Sequence, residues 1–412
     1  MPALNRVPNE QALSTLLVGT QAFRDTPVTP TYKWYGTAQF TENRPITESD
    51  EYAGTFFADY EPTYGPVEIS GTYAEDLTYE DFAILPRYGI KGGVAGVDDG
   101  NTVHGYLYTY QTSPSRDDID VATIEHGYPG VPRKAETVLF DQFTISADAD
   151  NAKAVWAWSG NLWARKRDLI ATTSGVATGG STTTLVKTAA GWTTNQFQGA
   201  YVFLRTGAAA GNAVEIASND ATTLTFVNAL PNTVANTDQF EISGRFTAGV
   251  TDRTRTKIAA PGTVVTIDDY PGGTIGTTAV PRWISWSVTY MNNLSGKRFG
   301  PDIDVYSAKL GRGKVKVTGQ IRIEFDDPYE YEKYKAKKMR IMRLKQTGPQ
   351  INAAPLTNMY AQIDLPKVAW SQITEDVRGT NITGTYAFVG YVDTVAGYPM
   401  QTKALVPMAA LP

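Results

Sequence analysis

The feature that most constrains this chain is its punctuation. Glycine (37), proline (23) and tyrosine (23) recur throughout 412 residues, and the apolar runs between them are short and alternating. A period of two sends successive side chains to opposite faces of a strand. Val67-Glu68-Ile69-Ser70, Gly105-Tyr106-Leu107-Tyr108-Thr109-Tyr110 and Val155-Trp156-Ala157-Trp158 read this way. So do Val315-Lys316-Val317-Thr318, Gln320-Ile321-Arg322-Ile323-Glu324-Phe325 and Tyr386-Ala387-Phe388-Val389. Asp99-Gly100 predicts a type I′ hairpin turn. The chain is therefore expected to be mainly β.

Two helices are expected. Thr78 caps a short one that Pro86 ends, with Asp81 at the third position. A longer one starts at Asp327-Pro328-Tyr329-Glu330 and is predicted to run to about Lys345, before Thr347-Gly348-Pro349. Tyr331, Tyr334, Met339 and Met342 would form its buried stripe.

These helices expose a repeat. Val67-x-Ile69-x-Gly71-x-Tyr73 precedes the first, and Val315-x-Val317-x-Gly319-x-Ile321 precedes the second. An aromatic strand lies upstream of each (Tyr32–Tyr35 and Trp283–Trp286), and late strands lie downstream (Phe140–Trp158 and Val368–Val392). Between the halves, residues 171–244 hold fifteen threonines and only six Asp, Glu, Lys or Arg residues. Strand candidates there are 183–185, 200–204, 212–216, 223–226 and 239–242. The expected architecture is tandem β-sandwich or barrel domains, each with one flanking helix, plus an inserted small β-module. The boundaries are 1–168 with an N-terminal arm, 169–245 for the Thr-rich module and 246–412. An ordinary stretch of a larger sandwich is the alternative for the middle segment.

Composition narrows the function. Hydrophobic residues (42%) suffice for real cores, which excludes global disorder. A net charge of −5 lacks the basic excess of a phosphate-neutralising nucleic-acid binder. Residues 42–99 are acid-rich and 333–345 are base-rich, so the basic run reads as a solvated helix face or a subunit contact. Without cysteine there are no disulfides, thiolate metal sites or cysteine nucleophiles. The N-terminal residues lack the pattern of a secretory signal, and no stretch has the ~18 apolar residues of a membrane span.

Catalytic patterns fail one by one. His104 and His126 flank no nucleophile, although Glu125-His126 is a conceivable base pair. Adjacent acids (Asp98-Asp99, Asp117-Asp118, Asp268-Asp269, Asp326-Asp327) point opposite ways in a strand, so they do not face each other across a sugar. Gly296-Lys297 and Gly313-Lys314 lack the rest of a phosphate loop. Trp156, Trp158, Trp163, Trp283 and Trp286 suit sugar stacking or, more simply, a core or an interface. The expectation is no enzyme, and no catalytic, cofactor-binding or metal residues.

Several segments together resemble the tail tube proteins of long-tailed bacteriophages (siphophage type). They are Gly19-Thr20, Pro27-Val28 and Lys33-Trp34-Tyr35-Gly36-Thr37, then Gly71 to Tyr79-Glu80-Asp81-Phe82. Tyr108 to Ser115, Val121 to Glu125 and Val138 to Ser146 follow in order. The likeness covers much of 15–167, more loosely 275–412, and not the Thr-rich segment. It implies two packed sheets with a flanking helix, and rings of sixfold geometry stacked into a hollow tube in the virion tail. It implies assembly in the host cytoplasm and no cofactors. Implied partners are further copies of the chain, tape measure and tail terminator or tip proteins, and DNA that passes through without specific binding; no membrane is involved. Two tube domains per chain would give a pseudo-sixfold ring of three chains, against six chains for a single-domain member. Phe40–Gly65 and Asn292–Gly313 are the expected ring-stacking loops. A carbohydrate-binding or adhesin-like β protein of a virion or cell surface is the alternative.

Overall fold

The computed structural model describes residues 15–21, 26–47, 63–112, 118–128, 130–170, 172–297, 309–324, 328–378 and 381–412. The protein is mainly β, with large antiparallel sheets, a separate seven-stranded sheet and two α-helices among the described residues. The first half contains β1 (Thr15–Gln21), β2 (Tyr32–Trp34), β3 (Thr37–Asn43), β4 (Ile46–Thr47), β5 (Thr63–Tyr64) and β6 (Glu68–Asp76). Then come α1 (Tyr79–Ile84), β7 (Val97–Asp98), β8 (Tyr106–Gln111), β9 (Val121–Tyr128), β10 (Val131–Asp148), β11 (Ala157–Ala164) and β12 (Lys166–Leu169).

The Thr-rich segment forms its own sheet. Its strands are β13 (Thr173–Val176), β14 (Gly179–Gly180), β15 (Thr184–Val186), β16 (Tyr201–Leu204), β17 (Ala213–Asn219), β18 (Thr223–Phe226) and β19 (Gln239–Ile242), ordered β13-β19-β16-β17-β18-β15-β14. Leu185, Val202, Ile216, Leu224, Phe240 and Ile242 build a core distinct from that of the main body. The chain enters and leaves this unit side by side: Ile170 donates to Pro132, and Gly244 packs against Ile170 so closely that a side chain would not fit. Such a geometry lets a unit sit in a surface loop at small cost in closure entropy.

The second half contains β20 (Val264–Asp269), β21 (Trp283–Met291), β22 (Leu294–Lys297), β23 (Lys309–Arg312), β24 (Lys316–Glu324) and α2 (Tyr329–Lys335). It ends with β25 (Arg340–Ala353), β26 (Leu356–Arg378), β27 (Asn381–Gly390) and β28 (Gln401–Val406). Its strands β20, β21, β24, β25, β26 and β27 repeat the pairing of β1, β3, β6, β9, β10 and β11 in the first half. Phe40 of β3 faces Gly71 of β6, as Val288 of β21 faces Gly319 of β24. Gly71 in turn faces Leu162 of β11, and Gly319 faces Phe388 of β27. Leu162 and Phe388 then face Phe140 of β10 and Trp370 of β26, and in both ladders the register slips at the next residue. A second slip also matches: Ala135/Val138 against β9, and Leu365/Val368 against β25. β-Bulges are placed features of a fold, and two at equivalent positions mark a duplication.

The repeated glycine has a steric reason. A Cβ on Gly71 would lie 2.7 Å from the Gln39 carbonyl oxygen, and one on Gly319 would collide with the Ser287 carbonyl. Close approach of the neighbouring backbone requires glycine in the strand interior.

Three expectations need correction. The second helix does not reach Lys345: it stops at Lys335, Lys337 has a positive φ of 54°, and β25 begins at Arg340. From there burial alternates, with Met342 and Leu344 inside and Arg343 and Lys345 partly out, so Met342 belongs to a strand face and the predicted stripe does not form. The Asp99-Gly100 turn is longer than two residues, because Val97 pairs with Leu107 and only Gly100 of the two has a positive φ. The aromatic strands are also offset: Trp283–Trp286 lies in β21, the counterpart of β3, whereas Tyr32–Trp34 forms β2. Asp327, the expected cap, lies outside the described residues, as do Asp117 and Asp326.

Candidate assembly interface

The two halves meet strand to strand. The second half of β10 pairs antiparallel with β21, from Gln142↔Met291 to Asp148↔Ser285. One sheet results, in the order β3-β6-β11-β10-β21-β24-β27-β26. Its inner face carries a continuous aromatic core through the seam. Phe143 stacks on Trp158 at 4.2 Å between ring centroids and on Tyr290 at 5.3 Å, while Trp156 meets Trp286 edge-on at 4.8 Å. Packing of this kind adds to burial by favourable ring geometry.

The outer face of the same sheet is different. Gln39, Thr41, Ser70, Thr72, Ser159 and Asn161 are partly or fully exposed, and so are Thr144, Ser287, Thr289, Gln320 and Thr374. Hydroxyl and amide groups are the most common on the face, beside charges of both signs such as Glu68, Arg322, Glu324 and Asp376. Such a surface hydrogen-bonds water and offers a polyanion neither strong attraction nor strong repulsion.

Both ends of the sheet are open among the described residues. β3 pairs only with β6, and its residues are exposed or half-exposed. β26 is flanked on its inner side by β25 no further than Val368, so from Gln372 onward it pairs with β27 alone. Gln372, Thr374, Glu375 and Asp376 are exposed. Open edges invite pairing with another chain. Each half also contains a short two-stranded arm, β4–β5 and β22–β23, within the segments expected as long loops; β3 takes the first residues of the expected Phe40–Gly65 loop.

Beside β3 lies a basic cluster. His126 Nε2 accepts from Arg167 Nε at 3.2 Å, its ring packs on Phe40 at 4.5 Å, and Arg133 sits directly across the ladder. Burial first, then the Arg167 and Arg133 charges, hold the imidazole down to about 3, so it is neutral at neutral pH. Glu125 points elsewhere and accepts from the Thr247 amide and hydroxyl at 2.7 and 2.9 Å. The Glu125-His126 pair therefore has no shared chemistry.

The remaining sequence candidates have structural duties. Asp98 accepts from Gly100 and contacts His104 Nδ1 at 2.9 Å, and Asp99 accepts from Asn101, which closes their loop. Asp268 holds the 276–278 turn through Gly276, Thr277 and Thr278, while Asp269 faces Lys333 and Arg340. Trp156, Trp158 and Trp286 are buried in the core, and Trp163 and Trp283 are half-buried. The basic run is answered locally: Arg340 by Asp269 and Glu330, Arg343 by Asp364, and Lys345 by the Tyr360 ring. Sequence reasoning missed the open β26 edge and the basic cluster, because both depend on which strands become neighbours.

Comparison with known proteins gives no match, either to a family model or to a curated protein.

Proposed function

We propose that this chain is a structural subunit without turnover, which joins copies of itself into rings that stack as a hollow tail tube for DNA passage. The observation that carries the reading is the internal seam: two equivalent repeats are already joined edge to edge, and the equivalent edges of the pair, β3 and distal β26, are open. A heterologous contact gives a ring when its rotation closes. The hydroxyl-rich outer face, with charges of both signs, suits a wall past which DNA slides. The arms β4–β5 and β22–β23 are assigned the contacts between stacked rings. Three chains would supply six repeats. The binding-module alternative loses support, since three of its five candidate tryptophans lie in the core.

Negative-stain electron microscopy of the concentrated protein tests this. Six-lobed rings or hollow tubes are the expected result, with a trimer by mass. A monomer at every concentration, with specific glycan binding, would replace the reading with the alternative.

A further inference from the structure

The repeat does more than suggest that copies meet; it fixes how. We propose that the seam between copies reproduces the internal seam in register, so that residues 372–378 of β26 pair antiparallel with β3 of the next copy. The inference rests on the self-assembly reading above. Its derivation uses only matched positions. Phe140 and Trp370 are equivalent, as are Gln142 and Gln372 beyond the shared bulge. Val288 and Phe40 are equivalent through their glycine partners. The internal pairs Gln142↔Met291, Thr144↔Thr289 and Ile145↔Val288 then become Gln372↔Asn43, Thr374↔Thr41 and Glu375↔Phe40.

Two consequences support this register over others. The threonine pair recurs: Thr144 and Thr289 hydroxyls are 2.7 Å apart across the internal seam, and Thr374 and Thr41 occupy the same two places. A slip of one residue would send every side chain to the wrong face. The second consequence is charge. Where the internal seam has Ile145 against Val288, both in the core, the external one has Glu375 against Phe40. Phe40 is the ring that lies on His126, beside Arg167 and Arg133. The Glu375 carboxylate of one copy therefore enters the basic cluster of the next. Inside the chain the seam is apolar and permanent, whereas between chains it is closed by a charge contact that salt screens.

The chain has no cysteine, so cross-linking reads the register directly. Thr41→Cys and Thr374→Cys proteins, mixed and oxidised, should give a disulfide-linked dimer. The double variant should give a ladder that ends at a closed ring. Glu42→Cys mixed with Thr374→Cys should give none, because those positions face opposite sides. Thr144→Cys with Thr289→Cys is the internal control, expected to close within one chain. All five cysteine positions carry exposed or half-exposed side chains on the sheet, and circular dichroism confirms folding. Glu375→Arg should raise the concentration needed for assembly about tenfold or more, since like charges would then meet. Rings that form without the Thr41–Thr374 cross-link overturn the register and leave the assembly reading standing. Folded protein that neither assembles nor cross-links overturns both.

Discussion

The two repeats share a backbone plan but cover their helices differently. In the first, α1 is buried along its whole length. Residues 253–257 run over it: Thr256 accepts from the Tyr79 amide and donates to Glu80, and Arg253 and Arg255 both reach Asp81. Gly348 of the second repeat lies against the Tyr79 ring, where a side chain would not fit. In the second repeat, α2 has no buried residue and Tyr329 is 44% exposed. Beneath α2 the core is polar. Arg340 is 1% exposed and binds Glu330 at 2.6 Å and Asp269, and the Trp370 indole donates to Glu330 at 3.1 Å. The register places Ala122, Thr20 and Phe140 at the positions of Arg340, Asp269 and Trp370 in the first repeat. A duplicated fold thus tolerates an apolar or an ionic floor under the same helix. Ion pairs hold both helices, but from different sides: Arg253 and Arg255 reach Asp81 of α1 from the segment that covers it, whereas Arg340 reaches Glu330 of α2 from the floor beneath.

The sharpest way to break that comparison is to remove the buried arginine. Arg340→Ala leaves Glu330 buried without its cation, and burial already pushes that carboxyl above its ordinary range. Loss of one partner of a buried pair costs about 3–5 kcal/mol. The urea midpoint should fall accordingly. Arg340→Met with Glu330→Gln should recover most of the loss, because Gln still accepts from Trp370 and no charge is stranded. Equal losses in the single and double variants would show that packing volume, not charge, holds the floor.

Acid should act mainly on the first repeat. His126 titrates near 6.5 when unfolded and about 3 when folded. The unfolded chain therefore takes up the proton first. Stability from this group is complete above about 6.5 and is lost as pH falls toward about 3. At about 1.4 kcal/mol per pKa unit, the loss is on the order of a few kcal/mol. Carboxylates titrate in the same window, so the comparison is between the parent and His126→Gln. The variant should show a shallower decline of the urea midpoint between pH 6.5 and 4. Parallel declines would place the acid sensitivity elsewhere.

Sequence pattern revealed local structure and missed what neighbours decide. Five of the Thr-rich strands were legible from their own alternation, whereas Thr173–Val176 and Gly179–Gly180 lack apolar residues enough to announce strands. Thr78 and Asp81 announced α1, because a cap is a contact within four residues. The overrun of α2 has the opposite cause. Lys and Arg residues from 333 to 345 suit a helix terminus, but Arg343 and Lys345 alternate with buried Met342 and Leu344 once β20 and the proximal part of β26 flank that strand. Tertiary pairing overrode local preference. The repeat was visible in its glycines, but its two matching bulges were not, since a bulge is defined only against its partner strand. The open edge of β26 was illegible for the same reason.

The smallest effect concerns the caps. The Thr78 hydroxyl accepts from the Asp81 amide at 3.1 Å, whereas Pro328 gives α2 no side-chain cap. Loss of a cap typically costs about 1 kcal/mol. Thr78→Ala should cost about that or slightly more, because Thr78 also donates to the Asp81 carboxylate that anchors Arg253 and Arg255. Pro328→Ser should change the urea midpoint little or raise it, since a serine at this position offers α2 a side-chain cap that Pro328 does not. If α1 matters because residues 253–257 are clamped on it, Thr78→Ser restores stability while Thr78→Val, of similar shape, does not. Full recovery with Val would mean that the side chain acts by packing alone, and the contrast between a clamped and an open helix would no longer depend on the cap.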